Sequence, residues 1–354
     1  MRKSFVEKNE REAWVDILKG IAIIFVVLGH VVTSYHNSNM LLSARIFNFV
    51  GIFVYAFHMP LFFVISGYLA GKSKKNDTVG KKILGKCICY GIPYVIFSVV
   101  SVTLKLLARS VVNTPLGLMD LLMIVVYPIS YLWFLYALLL ISVISLLLKR
   151  LVKNNYLVVV IVSLVCKVAM NIVLNVYSLQ DGKFSESILF SVIEYYFWYV
   201  LGEYLSSKFT DEIKHKLKNI KYVWCALLLC MFAGVVWLFN FHFQIGWSIV
   251  NILVSFLGIA VFWLICIKIS SSRVLGCIGK QTFPIYLMHG YVVSFVRIVL
   301  NKLHIPLIEG LVPLFIGTVV GVVVPLCLYA IIVKFKGLDF VFYPQRYISI
   351  TKKK

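Results

Sequence analysis

Three of the seven histidines in this chain of 354 residues lie inside long apolar stretches. His30 lies near the outer end of the first stretch, His58 precedes Pro60 in the second, and His289 lies in a stretch near the C-terminus. An imidazole titrates near neutral pH and can take a proton from a hydroxyl nucleophile, so these residues could serve as a general base. The same histidines would also suit a proton-coupled transporter, and composition does not distinguish such a transporter from an enzyme that uses a general base.

Asp16 lies fourteen residues before His30 in the first stretch. On a helix this separation is about 21 Å and close to four turns, so the two side chains share one face. Asp16 is therefore either a companion of His30 or the partner of Lys19 in an ion pair at the membrane interface. His58 lies about ten residues from the outer end of its stretch, and His289 lies about eight residues from the inner end of its own, so both have similar depths near the midplane. We therefore expect them to lie closer to each other than to His30.

Glu194 is an acid inside an apolar stretch. Such a group costs a few kcal/mol on insertion scales, so it needs a proton or a partner, either a histidine, Lys167 or Arg297. The aromatic residues that follow it pack against lipid or other helices more often than they bind sugars. We nevertheless predict substrate contacts for Glu194, Trp133 and Tyr286.

The elements that position these residues are predicted to be membrane helices. With 61% apolar residues, 14% charged residues and a mean hydropathy of +0.94, the chain is not a soluble protein. Stretches of about 20 apolar residues can cross the bilayer. We predict an all-α, polytopic protein that forms a single integral-membrane domain over residues 1–354. Ten spans are predicted, at 14–35, 48–71, 84–107, 129–148, 156–175, 186–206, 222–240, 245–268, 281–301 and 310–334.

The distribution of basic residues predicts the orientation. With the N-terminus inside, the inner segments hold 27 of the 35 Lys and Arg residues, the outer segments hold 4, and Lys19, Lys105, Lys167 and Arg297 fall within spans. Basic residues in short loops stay on the cytoplasmic side, so both termini are predicted to be cytoplasmic. Because the net charge of +21 is spread over separate loops, it does not indicate nucleic-acid binding. The eight cysteines offer no zinc spacing, and no metal site is expected.

Four segments, taken together, resemble the integral-membrane acyltransferase 3 family. They are Asp16-x-x-Lys-Gly-Ile-Ala followed by His30, Phe57-His-Met-Pro-Leu-Phe-Phe-Val-Ile-Ser-Gly-Tyr68, Leu132-Trp-Phe-Leu135, and Gly279-Lys followed by Tyr286-Leu-x-His289. The second segment most resembles the branch related to fucose 4-O-acetylases. The resemblance implies an O-acyltransferase of the cell membrane. Such an enzyme moves acetyl from cytoplasmic acetyl-CoA to a hydroxyl of a cell-surface or exported carbohydrate, with no tightly bound cofactor.

The resemblance marks His30 as the catalytic histidine and Asp16 as its companion in the same span. His58 and His289 are the further catalytic candidates. The family often has Arg where this chain has Lys19. An ammonium keeps the charge but loses bidentate geometry, so no phosphate-binding role is assigned to Lys19 from sequence.

A lysine-rich loop follows the second span. Coenzyme A carries several phosphate charges, so this loop could attract the donor on the side where acyl-CoA is made. The alternative is that the lysines only set the topology. The predicted donor-binding residues are Lys72, Lys74, Lys75, Lys81 and Lys82.

Two other functions stay open at the level of sequence. The chain could be a carbohydrate exporter, flippase or proton-coupled transporter without acyl transfer. It could also be a non-catalytic partner of a polysaccharide synthase. Association with polysaccharide synthesis or export machinery is an expected interaction in addition to the lipid bilayer.

Overall fold

The computed structural model describes residues 12–36, 44–73, 77–108, 116–152, 155–177, 183–242, 249–303 and 311–348. Within these ranges the chain forms helices and turns and no strand, which confirms the all-α prediction. The α-helices are α1 (Ala13–His36), α2 (Ala44–Tyr55), α3 (His58–Gly71), α4 (Val79–Lys86), α5 (Ile92–Leu107), α6 (Leu118–Met123), α7 (Trp133–Leu151), α8 (Tyr156–Val176), α9 (Ile188–Lys208), α10 (Asp211–Lys218), α11 (Tyr222–His242), α12 (Ile249–Ile269), α13 (Arg273–Lys280), α14 (Thr282–Leu303) and α15 (Leu311–Ile332).

Eight helical segments of the described chain are long and apolar enough to cross a membrane. The pair α10 and α11, bent by 89°, adds a ninth if it counts as one span. The predicted span at 186–206 corresponds to α9, which is not among the eight because Glu194, Glu203 and four tyrosines lower its hydropathy. The structure therefore supports a polytopic membrane protein. The count of ten and the cytoplasmic placement of both termini stay predictions.

The first helix is the centre of the bundle. Fourteen of the 24 residues of α1 are buried, and α1 contacts α2, α3, α12, α13, α14 and α15. A helix that is apolar on all sides is stable only when other helices surround it or when it faces lipid. This central position means that residues on different faces of α1 meet different neighbours.

The second span is broken, as the position of Pro60 predicts. α2 ends at Tyr55 and α3 begins at His58, which leaves Pro60 in the first turn of α3, where its missing N–H has no intrahelical acceptor to lose. The carbonyl of Ala56 at the break accepts a hydrogen bond of 2.5 Å from the hydroxyl of Ser255. The break is thus stabilised by α12, and it brings His58 to a helix start.

Small residues allow α3 to pack closely on α9. A methyl group on Gly67 would overlap the carbonyl oxygen of Tyr199, and one on Gly202 would overlap that of Val64. Close helix approach through small residues is a common way to stabilise helix pairs in membranes. This contact fixes α9 beside the lower half of the second span.

Candidate active site

A crossing of α1 and α13 sets the position of the site. A methyl on Gly20 would overlap the carbonyl oxygen of Leu275, and one on Gly279 would overlap that of Asp16, so only glycine fits at either position. His30 lies ten residues beyond Gly20, and His289 lies ten residues beyond Gly279. Ten helical residues advance about 15 Å, so the two histidines reach the same level.

The structure brings His30 and His289 into contact, with ring centroids 5.0 Å apart. The depth estimate from sequence, which placed His289 nearer to His58 than to His30, was wrong. It assumed that the spans begin at equal depth. Because Gly279 lies level with Asp16 and Gly20, α14 starts deeper in the bundle than α1 does.

The orientation of the His289 ring follows from its hydrogen bonds. Nδ1 lies 2.7 Å from the carbonyl oxygen of Tyr286 and 3.2 Å from that of Ile285. A carbonyl only accepts, so Nδ1 carries the proton and donates. In the neutral ring Nε2 therefore holds a lone pair. Nε2 is buried and has no hydrogen-bond partner among the described residues, so it is available to accept a proton or a hydrogen bond.

Tyr131 completes the cluster. Its ring centroid lies 4.8 Å from that of His289 and 5.8 Å from that of His30. Its hydroxyl donates to the carbonyl of Leu287 (3.1 Å), and the Tyr286 hydroxyl donates back to the carbonyl of Tyr131 (2.6 Å). These two bonds fasten the start of α7 to α14 beside the histidines.

Two local features allow this placement of Tyr131. Ser130 has φ of +47°, a left-handed conformation that serine rarely adopts, and residues in such conformations cluster at functional sites. A methyl on Gly290 would overlap the Tyr131 ring. The chain therefore holds Tyr131 in position with a strained residue on one side and a glycine on the other.

A cavity of about 560 Å³, here called the outer cavity, lies on the C-terminal side of α1. His30 and Tyr131 line it, together with Lys105 and Arg297. Hydroxyl groups also line it, from Thr33, Ser34, Ser101, Ser130, Tyr291 and Ser294. Its size is typical of a small-ligand site, and its wall is polar enough to bind a polyhydroxylated molecule.

A second cavity of about 290 Å³, here called the inner cavity, lies on the N-terminal side of α1. Lys19, Lys280 and Tyr343 line it, and apolar side chains such as Phe62 and Leu138 form much of the rest of its wall. Tyr286 lines the inner cavity and Tyr131 lines the outer one. These two hydrogen-bonded tyrosines therefore lie between the cavities.

Asp16 forms an ion pair with Lys19 at 3.1 Å. Of the two roles that the sequence allowed for Asp16, companion of His30 or ion-pair partner of Lys19, the structure shows the second. Asp16 lies about 21 Å along the helix from His30. Because Lys19 lines the inner cavity, Asp16 can position that ammonium group. It does not orient the His30 ring.

His58 lines neither of the two cavities. Its Nδ1 donates to the carbonyl of Val54 at 2.7 Å, and its ring packs against that of Tyr55 at 5.1 Å. The Tyr55 hydroxyl is 2.9 Å from the hydroxyl of Thr33, which lines the outer cavity. His58 is therefore linked to the outer cavity through Tyr55 and Thr33, and it is close enough to His30 for the two rings to interact electrostatically.

The three residues predicted to contact substrate lie in different places. Tyr286 lies at the site. Glu194 instead forms an ion pair with buried Lys167, one of the partners that the sequence offered, and neither lines the two cavities. Trp133 packs on Tyr195 with ring centroids 5.2 Å apart and also lies away from both cavities. Glu194 and Trp133 therefore have packing and pairing roles in this structure.

The three predicted donor lysines that the structure describes, Lys72, Lys81 and Lys82, lie outside the walls of both cavities. Lys72 is paired with Glu12 at 3.6 Å, and Lys81 and Lys82 belong to α4. Lys74 and Lys75 fall outside the described residues. The basic groups that do line the inner cavity are Lys19 and Lys280.

Sequence reasoning missed Tyr131 and Lys280 as site residues. Tyr131 directly precedes one of the family-like segments, and no local pattern distinguishes it from the aromatic residues around it. Lys280 looked like one more basic residue at an inner helix end. Their place in the site depends on contacts between α7, α14 and α1, which are distant in sequence.

Together, these observations define a polytopic helical membrane protein with a histidine pair beside the outer cavity and two hydrogen-bonded tyrosines between the two cavities. Residues 12–330 match the profile of the acyltransferase 3 family, described as an acyltransferase domain. The chain therefore belongs to the acyltransferase 3 family.

One curated relative is nodulation protein NolL of Sinorhizobium fredii (strain NBRC 101917 / NGR234). It is 34% identical to this chain over 102 residues, which is 28% of this chain and 27% of the relative. The chain thus matches about a quarter of the length of that relative. No solved structure matches the chain.

Proposed function

We propose that this protein is an O-acetyltransferase of the cell membrane that moves acetyl from cytoplasmic acetyl-CoA to a hydroxyl of a cell-surface or exported carbohydrate. The observation that carries the proposal is the cluster of His30, His289 and Tyr131 beside the outer cavity, with Tyr286 joining Tyr131 to the wall of an inner cavity of different character. The inner cavity has an apolar wall with lysines and fits a phosphorylated donor with an apolar arm. The outer cavity is rich in hydroxyl groups and fits a carbohydrate.

The chemical step uses His30 as general base, because His30 is the histidine that lines the outer cavity. The acceptor hydroxyl gives its proton to His30, and its oxygen attacks the thioester carbonyl. The tetrahedral intermediate collapses by breaking the carbon–sulfur bond, and the thiolate of coenzyme A takes the proton from His30. The lone pair on Nε2 of His289 can accept a hydrogen bond from the protonated His30 ring.

The donor would enter from the inner side. Lys19, held by Asp16, and Lys280 would bind phosphate groups of acetyl-CoA. The exposed side chains of Lys72 and Lys81 would act at longer range by attracting the anion, an effect that salt screens. The acetyl group must then pass the Tyr131–Tyr286 pair to reach His30.

The test of this proposal is acetyl transfer in purified, reconstituted protein supplied with radiolabelled acetyl-CoA and membrane glycans. His30→Ala should lower the transfer rate by about 10²- to 10⁴-fold, the usual contribution of general base catalysis. His289→Ala should also lower it, because its ring contacts that of His30. His58→Ala should lower it less, because no ring contact joins His58 to His30 or His289 among the described residues. His215→Ala on exposed α10 is the matched control and should leave the rate unchanged.

Two outcomes would contradict the proposal. Wild-type turnover in His30→Ala would remove the base assignment. Absence of label on any glycan, with correctly inserted wild-type protein, would favour the carbohydrate exporter or proton-coupled transporter that the sequence also allows.

A further inference from the structure

Part of the wall of the inner cavity comes from residues that lie beyond the match to the family profile. The match ends at residue 330, and the structure describes a further stretch of residues 333–348, here called the C-terminal segment. Tyr343 of this segment lines the inner cavity, as do Lys280 and Phe283. The C-terminal segment therefore reaches the cavity in which we place the donor.

The C-terminal segment is packed against the helices, which gives Tyr343 a fixed position. Gly337 turns the chain with φ of +90°, a conformation that glycine adopts readily. Phe342 is only 2% exposed, and its ring centroid lies 5.5 Å from those of Phe97 and Tyr329. Because Phe342 is buried in this way, the adjacent Tyr343 is held at the wall of the inner cavity.

Aromatic and basic groups surround the ring of Tyr343. Its centroid lies 5.8 Å from that of Phe283, and the guanidinium of Arg346 lies 4.2 Å over its ring. Arg346 is itself fixed by a hydrogen bond of 2.8 Å to the carboxylate of Asp339. The exposed Lys280 lines the same cavity. Aromatic rings beside basic side chains are the combination that proteins use to stack a nucleobase and bind its phosphates.

The distance from the histidines fits the nucleotide half of the donor. Phe283 lies six residues before His289 on α14, which is about 9 Å along the axis. In acetyl-CoA a long pantetheine arm separates the thioester from the phosphates and the adenine ring. A thioester that reaches His30 therefore leaves the adenine on the far side of the arm, towards the start of α14, where Phe283 and Tyr343 lie.

We propose that Tyr343 binds the adenine ring of the donor and that the C-terminal segment is thereby part of the donor site. This proposal rests on the proposed function, because it takes the inner cavity as the site of acetyl-CoA. It makes Tyr343 a specificity-determining residue, which distinguishes coenzyme A thioesters from thioesters that lack the nucleotide. Every base has a π-face, so the ring of Tyr343 and not its hydroxyl group provides the contact.

The test compares two donors on the full chain in nanodiscs. They are acetyl-CoA and S-acetylpantetheine, which has the same thioester and arm but no nucleotide. Tyr343→Ala should raise the KM for acetyl-CoA by at least about fivefold, the usual loss when a stacking ring is replaced by alanine. The KM for S-acetylpantetheine should stay within about twofold, and Tyr343→Phe should keep both wild-type values.

Phe335→Ala is the matched control, because Phe335 is an exposed aromatic residue of the same segment and lines neither cavity. It should use both donors like the wild type. If Tyr343→Ala does not fold, Tyr343→Leu supplies the same comparison. An equal rise in KM for both donors would show a purely structural role, and an unchanged KM for acetyl-CoA would show no role at all. Either result would overturn the proposal.

A binding measurement separates this proposal from the proposed function. Adenosine 3′,5′-bisphosphate, the nucleotide half of coenzyme A, should bind to the wild type and bind at least about fivefold more weakly to Tyr343→Ala. Acetyl transfer by a wild type whose binding of this nucleotide does not depend on Tyr343 would overturn the present proposal alone. Binding that depends on Tyr343, without acetyl transfer, would overturn the proposed function and leave the nucleotide site in place.

Discussion

Replacing Gly290 by alanine should displace the ring of Tyr131 and misalign the histidine pair. The added methyl would overlap Cε1 of the ring and come within 2.8 Å of Cδ1 and 2.9 Å of Cζ. Comfortable carbon–carbon contacts are about 3.5–4.0 Å, so the ring must move by about 1 Å. It resists because its hydroxyl is bonded to Leu287 and its carbonyl to Tyr286.

The effect on stability should be small and the effect on activity large. Overpacking costs about 1–3 kcal/mol. Alanine in place of glycine inside a helix gains about 1 kcal/mol, which leaves a net loss of about 0–2 kcal/mol. A misplacement of about 1 Å near reacting groups can cost about 100-fold in rate. Because Tyr131 contacts both His30 and His289, we expect acetyl transfer to fall by about 10- to 100-fold while the protein stays folded.

The assay is acetyl transfer from radiolabelled acetyl-CoA in reconstituted vesicles, with thermal unfolding measured on the same preparations. Gly234→Ala on α11 is the control, because a methyl there meets nothing within 4 Å. It should gain slightly in stability and keep the wild-type rate. A wild-type rate in Gly290→Ala would refute the reasoning. So would an equal loss from Gly290→Ala in a Tyr131→Ala background, where no ring remains to be displaced.

Three further predictions test other parts of the structure. Lys280→Gln should raise the KM for acetyl-CoA several-fold. The rise should be larger at low salt than at high salt, because exposed charges are screened over about 10 Å at 0.1 M. An unchanged KM at low salt would exclude Lys280 from donor binding. Glu194→Gln leaves buried Lys167 without its acidic partner and should lower the free energy of unfolding by about 3–5 kcal/mol. Denaturation in detergent measures this loss, and an unchanged unfolding midpoint would mean that the ion pair contributes little to stability. The hydroxyl of Tyr347 and then the guanidinium of Arg346 hold the pKa of Asp339 below its ordinary value of 3.8. The stability that the ionised Asp339 gives the C-terminal segment is therefore complete above that value, and it is lost as the pH falls through the lower, folded-state pKa. Asp339→Asn should loosen that segment at neutral pH, detected by hydrogen exchange, and an exchange rate equal to wild type would contradict this.

The sequence predicts those features that depend on one helix at a time. Hydropathy places most of the spans, and Pro60 predicts the break that the structure shows before His58. The spacing of three residues between Asp16 and Lys19 is enough to predict their ion pair. Each of these inferences uses neighbours in sequence or the period of a helix.

The site itself depends on relations between helices, which the sequence does not encode locally. His30 and His289 meet because Gly20 and Gly279 let α1 and α13 approach so closely that both histidines end at one level. Depth counted within each span cannot reveal this, because it contains no information on where one helix crosses another. The same limit explains why Tyr131 was not recognised.

The basic residues inside the spans have roles that depend on where the fold places them. Lys167 has an acidic partner and lines neither cavity, so it should matter for stability. Lys19 also has an acidic partner but lines the inner cavity, so its loss should affect donor binding as well. Lys105 and Arg297 line the outer cavity, where substitution should change acceptor binding more than folding. Because the cost of a charge in a membrane applies equally to all four residues, their different surroundings, and not their charge, assign them different roles.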